Sequence, residues 1–374
     1  MSLKAYADAG VNYDMMDPFK IQAQRMAATT SDNAKRLGVK MFESSRGEST
    51  SLFQSGRSVF AHTEEGLGTK CLVTDAVYRA TTLAMDYGAI SHDAVAMIVN
   101  DLATIGASPV MCAMHLAVGD SDWFKDEARA TWLLRGFAEA CNMAGCIWGG
   151  GETPVLKDIV VPGTFVLSGS AVGKLLGRPL LERNVLIGDA IVFLTSSGIH
   201  ANGLTLARKI AAKISPDPDR PERGYLVPIS AEGPTYGQAL LAPTHIYCRF
   251  VEMCIAEGVG LHYCANITGH GLKKLMRPRA SFHYEIENLP EVPRDLEFIQ
   301  EKAGLSNEEA YQTFNMGVGY ALYVSPRDVD RVLRLCEGQP FQALYAGRVL
   351  PSPDKGKKVI LKPVNVEYTT LGIR

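Results

Sequence analysis

Several features are missing from this 374-residue sequence, and each absence removes a class of function. No CxxC pair occurs among the eight cysteines (Cys71, Cys112, Cys141, Cys146, Cys248, Cys254, Cys264 and Cys336), and no Cys/His spacing follows a zinc-site pattern. The thiols read as reduced and mostly buried, as expected of a cytosolic protein, so the expected location is cytoplasmic. No long apolar run is present. The longest uncharged run near the middle, 102–118, is interrupted by Gly106 and Pro109, whereas a bilayer-spanning helix needs about 20 apolar residues. The start, MSLKAYADAG, has a charge at Lys4 but no apolar stretch, so no signal peptide is expected. Neither sign of charge is in excess: 38 basic side chains stand against 40 acidic ones, a net of -2. That balance excludes a nucleic-acid binder relying on a strong basic field and a polybasic membrane binder. The 35 glycines and 19 prolines carry no collagen or low-complexity signature.

What is present is a globular composition. Hydrophobic residues make up 47 %, enough for a sizeable core, and the length suggests two domains. Residues 1–58 are polar and irregular and read as a mobile segment. A domain of 59–173 and another of 174–374 follow, with the boundary where the character changes near Gly173. Strands are expected at 58–62, 71–74, 110–118, 159–161, 164–172, 190–194 and 359–361. Helices are expected at 92–105, 126–144, 244–257 and 328–336, with a further one carrying Leu206, Ile210 and Ile214. Strands alternate with helices, so the class is α/β (α+β).

Five segments could carry chemistry. In Glu65-Gly66-Leu67-Gly68-Thr69-Lys70, Gly66 and Gly68 let the backbone approach a phosphate and Lys70 supplies a compact cation, without P-loop spacing. In the 93–102 helix, Asp93, Asn100 and Asp101 fall on roughly one face, and Mg²⁺ suits such oxygen ligands. Helix capping is the plainer alternative. Gly149-Gly150-Gly151-Glu152 reads as a turn presenting Glu152. Ser196-Ser197-Gly198-Ile199-His200-Ala201-Asn202-Gly203 joins a strand to a helix start, a geometry that favours anions. The fifth element pairs two glycine-hinged turns, 268–271 and 313–319. The remaining histidines show no HExxH or triad context and read as structural.

Taken together and in order, these segments resemble the phosphoribosylformylglycinamidine cyclo-ligase (aminoimidazole ribonucleotide synthetase) family. The likeness runs through YxDAGV at 6–11, GxGTK at 66–70, DxVAMxVNDL at 93–102, GGET at 150–153 and SSGxHxNG at 196–203. It continues through LLAPTxIY at 240–247, ITGxG at 267–271 and TFNxGVG at 313–319. The resemblance implies a PurM-like two-domain fold whose N-terminal sheet forms a barrel across a homodimer. It implies ATP-dependent cyclisation of a small ribonucleotide substrate in purine biosynthesis, with no nucleic-acid or membrane partner.

On that resemblance Glu65, Asp93, Asp101 and Glu152 would hold Mg²⁺ or its waters. Lys70, Thr69, Gly66 and Gly68 would hold ATP phosphates, and Asn100 would bond nucleotide or substrate. Ser197, Gly198, His200 and Asn202 would meet the substrate phosphate or transferred group, with His200, Asn202 and Asp101 as catalytic residues. Departures fall on loops. Glu65 stands where the family has Asp, Arg46 to Ser51 replaces a Gly-rich stretch, 154–158 replaces an acidic loop, and His270 replaces a glycine. Another ATP-using member of the same superfamily (a small-molecule kinase or a selenophosphate-type synthetase) and a silent binding paralogue remain alternatives. The selenophosphate version predicts a reactive cysteine near the N-terminus, and none precedes Cys71.

Overall fold

The computed structural model describes residues 13–369, so the YxDAGV segment lies outside the described residues. Two mixed sheets share one long buried helix. The first sheet holds β1 (Val39–Met41), β2 (Ser51–Ser55), β3 (Ser58–Gly66), β4 (Ala107–Val118), β5 (Ile147–Glu152) and β6 (Phe165–Leu175), in the order β1-β2-β3-β6-β4-β5. The second holds β7 (Ala190–Thr195), β8 (Leu261–Asn266), β9 (Phe282–Ile286), β10 (Val318–Val324), β11 (Ala343–Pro351), β12 (Lys358–Leu361) and β13 (Val366–Tyr368), in the order β13-β12-β9-β11-β7-β10-β8. The helices used below are α1 (Tyr13–Ala28), α2 (Lys70–Thr81), α3 (Asp86–Thr104), α4 (Glu127–Ala144), α5 (Leu204–Ile214), α6 (Tyr236–Leu240), α7 (Cys248–Ala256) and α8 (Arg294–Ala303).

Alternation along β4 and β6 sends Cys112, Met114, Leu116, Leu167 and Ala171 inward. α3 and α4 cover that face. The other face, with Met111, His115, Val166 and Ser168, is covered by no helix among the described residues. α3 also touches α7 and β8 of the second sheet. It is buried from Ser91 to Thr104 except at His92, because it lies between two layers rather than on a surface. Polar side chains on such a helix need partners, since a buried polar group without one costs several kcal/mol.

Several expected elements change. Residues 13–58, expected to be irregular, carry α1, β1 and β2. The strand expected at 71–74 is the first turn of α2, whose Val73 and Val77 pack into the second core. A short apolar run does not by itself distinguish strand from helix. Residues 159–161 form a turn before Pro162-Gly163, with Ile159 and Val161 exposed. The helix expected from 244 starts at Cys248, because α3 side chains hold 244–247 off the helical path, as described next.

Candidate active site between the two sheets

Loop 66–70 leaves β3 at the junction of the two sheets and divides the polar residues there into two groups. The first group is closed. Lys70 and Asp93 form an ion pair with both side chains 0 % exposed. Lys70 Nζ also donates to the His200 carbonyl at 2.7 Å. The Asp93 Oδ1 atom accepts from the Thr244 N–H at 2.7 Å. One turn-pair further along α3, Asn100 Nδ2 donates to the His245 carbonyl at 2.8 Å, and its Oδ1 accepts from the Tyr247 N–H at 2.7 Å. Asp93 and Asn100 are seven apart, so they lie on one helix face and grip the segment 244–247 at two points. The structure thus ties the sequence segments 93–102 and 240–247 together as an interdomain clamp. Of the residues expected at metal and nucleotide, Lys70 and Asp93 face each other, and Asp93 and Asn100 face the second domain's backbone.

The second group is open. Glu65 at the end of β3 and Asp101 on α3 share a cavity of 340 Å³ with Glu48, Lys20, Lys274, Arg277 and the turn Thr268-Gly269-His270. Acids from the first sheet's side face bases from the second, and α1 adds Lys20. Asp101 is held from two sides. Its Oδ1 accepts from Asn266 Nδ2 at 2.8 Å, and its carbonyl accepts from Thr50 and Thr104 hydroxyls at 2.8 and 2.7 Å. Burial, and then the adjacent Asp101 carboxylate, push the Glu65 carboxyl up to about 8. Burial pulls the Lys274 ammonium down to about 8 against the pull of Asp101. Lys274 also donates to the Asn266 carbonyl at 3.1 Å and to the Thr268 hydroxyl. Arg277 donates to Ser49 Oγ and the Gly47 carbonyl, both at 2.7 Å. It thereby fastens the 46–51 stretch beside the cavity. His270 adopts φ +74°, the left-handed region that favours glycine, which accounts physically for a glycine at that place in the family pattern.

The 196–203 turn and the start of α5 meet the same loop, the turn through the Lys70 bond to the His200 carbonyl. Thr69 Oγ1 and Thr205 Oγ1 are 3.3 Å apart. Two N–H groups expected to cradle an anion are already engaged. The Ile199 N–H donates to Asp295 Oδ2 at 2.8 Å, and the Ser197 N–H donates to His200 Nε2 at 3.2 Å. His200 is buried, and burial, His245 and Lys70 hold its pKa well below the ordinary histidine value. Its ring shapes the turn as a neutral acceptor. Asn315 completes the arrangement, donating to the Gly198 carbonyl at 2.8 Å and accepting from Ser196 Oγ at 3.0 Å. Asn202 and Ser197 are half-buried at the turn's surface, while Gly66 and Gly68 are exposed.

Glu152 is not brought to the other acids. It lies at the end of edge strand β5, exposed, in the cross-strand row Gly66, Ser168, His115, Glu152. Three strand spacings of about 4.8 Å put it roughly 14 Å from Gly66. Sequence reasoning missed Lys20, Glu48, Lys274 and Arg277. The signal for the last two was the basic run Lys273, Lys274, Arg277, Arg279 immediately after the 268–271 turn.

Family models describe the same two-part division. "AIR synthase related protein, N-terminal domain" matches residues 53–175, and the corresponding C-terminal domain matches 187–360. The chain is 35 % identical over 308 residues to phosphoribosylformylglycinamidine cyclo-ligase of Thermococcus kodakarensis, covering 82 % of this chain and 84 % of that one. It is 31 % identical over 359 residues to the cyclo-ligase of Shouchella clausii, covering 93 % and 96 %. A bovine trifunctional purine biosynthetic protein, adenosine-3, is 34 % identical over 302 residues; these cover 79 % of this chain and 28 % of the bovine protein. Among solved structures, the HypE–HypF complex superposes with a TM-score of 0.60 at 16 % identity, covering 86 % and 92 % of the two chains. AaThiL complexed with AMPPCP and TMP superposes with a TM-score of 0.54 at 16 % identity, covering 89 % and 92 %. At such identities these two likenesses speak to the PurM-like fold alone. No helix among the described residues is long and apolar enough to cross a membrane.

Proposed function

The chain belongs to the AIR synthase related family, and on that premise we propose that it converts formylglycinamidine ribonucleotide to 5-aminoimidazole ribonucleotide in purine biosynthesis. ATP phosphorylates the formyl amide oxygen. The ribose-bearing nitrogen then attacks the activated carbon, loses its proton, and expels phosphate as the imidazole ring closes; ADP is the other product. An amide oxygen leaves poorly, so activation by phosphorylation is the chemically reasonable course. Positioning and charge neutralisation are then the protein's work.

The observation that carries the reading is the cavity in which Glu65 and Asp101 face Lys274 and Arg277. Two adjacent carboxyls, with burial and the neighbouring Asp101 pushing Glu65 up, make an oxygen donor set suited to a hard divalent cation. Glu65 and Asp101 would hold Mg²⁺, which when bound supplies positive charge to the triphosphate. Lys274 and Lys20 then face the anionic oxygens, and the exposed backbone of Gly66 and Gly68, with Thr69, borders the phosphates. Ser197, Gly198 and Asn202 border the substrate side, and His200 positions them through its bond to Ser197. Glu152 stands apart and serves the metal only if a longer ligand or a second subunit spans the gap. A homodimer through the helix-free face of the first sheet, around Met111 and Val166, would cover that face.

The test is the purified chain with ATP, Mg²⁺ and formylglycinamidine ribonucleotide. Imidazole product with equimolar ADP is the expected result. ATP turnover with another acceptor only would move the chain to a different reaction of the superfamily. Nucleotide binding without turnover would make it a binding paralogue.

A further inference from the structure

Three cysteines distant in sequence meet on the helix-covered side of the first sheet. Cys112 points inward from the middle of β4 and is fully buried. Cys141 sits in the last turn of α4, and Cys146 lies just before β5. The sulfurs of all three lie within 4.8 Å of one another, and Cys112 Sγ and Cys146 Sγ are 3.5 Å apart. Local backbone geometry produces the closeness. Gly145, at φ +72°, ends α4 in the left-handed conformation, and the Cys146 N–H then donates to the Cys141 carbonyl at 3.0 Å. The chain doubles back, so two cysteines five apart present sulfur to one point. The parallel register of β4 and β5, with Met111 beside Ile147 and Cys112 beside Trp148, delivers the third.

Buried thiols often serve as small apolar side chains, and the other five cysteines fit that description. These three differ because they converge, and no other trio of His, Cys, Asp or Glu among the described residues does so. Three metal–sulfur bonds of about 2.3 Å in a trigonal plane put the sulfurs about 4 Å apart, inside the observed spread. We propose that Cys112, Cys141 and Cys146 form a three-thiolate site for a thiophilic metal ion of the zinc(II) or copper(I) class. Soft sulfur ligands select such ions, whereas the oxygen-lined cavity at Glu65 and Asp101 suits a hard one. Cys146 is half-buried and gives the ion a way in, while the Phe137–Trp148 ring pair, 4.9 Å between centroids, closes the neighbouring core. Bound there, the ion would staple β4, the end of α4 and the start of β5 together.

The test uses the full chain, reduced and freed of metal under inert gas, titrated with Cd²⁺ and then with Zn²⁺ as competitor. Thiolate-to-cadmium absorption saturating at one ion per chain is expected, with a raised melting temperature, and because thiolates hold the softer Cd²⁺ more tightly, only a large excess of Zn²⁺ should reverse it. Cys146→Ser, the least buried of the three, should weaken binding at least about tenfold while its circular dichroism stays that of the parent. Cys336→Ala should bind as the parent does. Absence of the absorption in the reduced parent, or equal binding by Cys146→Ser, overturns the site. So does a Cys112–Cys146 disulfide that forms under mild oxidation in a chain that takes up no Cd²⁺; the cluster would then be a redox pair.

Discussion

Lys70 with Asp93 and Glu65 with Asp101 come from the same two segments, five and eight residues apart, yet the structure treats them differently. The Lys70–Asp93 pair is sealed: opposite charges meet, and backbone groups of the second domain take further bonds. The Glu65–Asp101 pair is open: two carboxyls meet, the Glu65 carboxyl is pushed up to about 8, and bases face both across a 340 Å³ cavity. Closure of charge within the fold marks a structural joint, and charge left for an outside partner marks a binding site. The largest expected effect tests the first half of that contrast. Lys70→Met leaves the Asp93 carboxylate buried without its cation and should cost about 3–5 kcal/mol in urea unfolding. The double change Lys70→Met with Asp93→Leu should recover a good part of that loss. A mild single-variant phenotype, with nucleotide affinity lost instead, would move Lys70 to the ligand.

The second half predicts a dissociation of activity from stability. Asp101→Asn keeps an oxygen to accept from Asn266 and removes a like charge beside Glu65. Turnover should drop about 100-fold, the scale of losing one oriented electrostatic group, while the unfolding midpoint holds or rises. If stability falls along with activity, Asp101 belongs with the clamp and the contrast fails at this residue.

Much of this could be read from the chain, for identifiable reasons. α4 follows helical periodicity, β7 is a short unbroken apolar run buried on both faces, and Gly145 stops α4 where a left-handed cap belongs. The polar groups on the 93–102 helix stand out in the sequence as ones that need partners once buried. Which partner each has was not legible, because Asp93 and Asp101 differ by the tertiary neighbours they meet, Lys70 and Thr244 for one, Glu65 and Asn266 for the other. The start of α7 departs from the sequence pattern for the same reason: Tyr247 aligns with Val251 and Cys254 at helical spacing, and bonds from Asp93 and Asn100 to 244–247 override it. The cysteine trio was illegible because two of its members are local and the third arrives by sheet register.

The smallest effect is a matter of protons. The Glu65 carboxyl keeps its proton to about pH 8 in the folded chain, against 4.5 for an ordinary glutamate, with Asp101, Glu48, Lys274, Lys20, Arg277 and His270 around the same cavity. Between those values the folded state holds more protons than the unfolded one. This contribution to stability is therefore full below about pH 4.5, declines as pH rises, and is gone above about pH 8. Lys274, pulled down to about 8, acts oppositely and only above that pH. A divalent cation at Glu65 and Asp101 must displace the Glu65 proton, so it should bind better as pH rises from 6 to 8. At ten times its dissociation constant it adds about 1.4 kcal/mol. Melting curves with and without Mg²⁺ should therefore diverge more at pH 8 than at pH 6. Glu65→Gln should flatten both the pH dependence and the Mg²⁺ response, whereas a Mg²⁺ shift that is equal at the two pH values and survives in Glu65→Gln would locate the ion elsewhere. The clamp offers a built-in control, since Lys70 and Asp93 are sealed from solvent, and a variant there should change the height of these curves without changing their divergence.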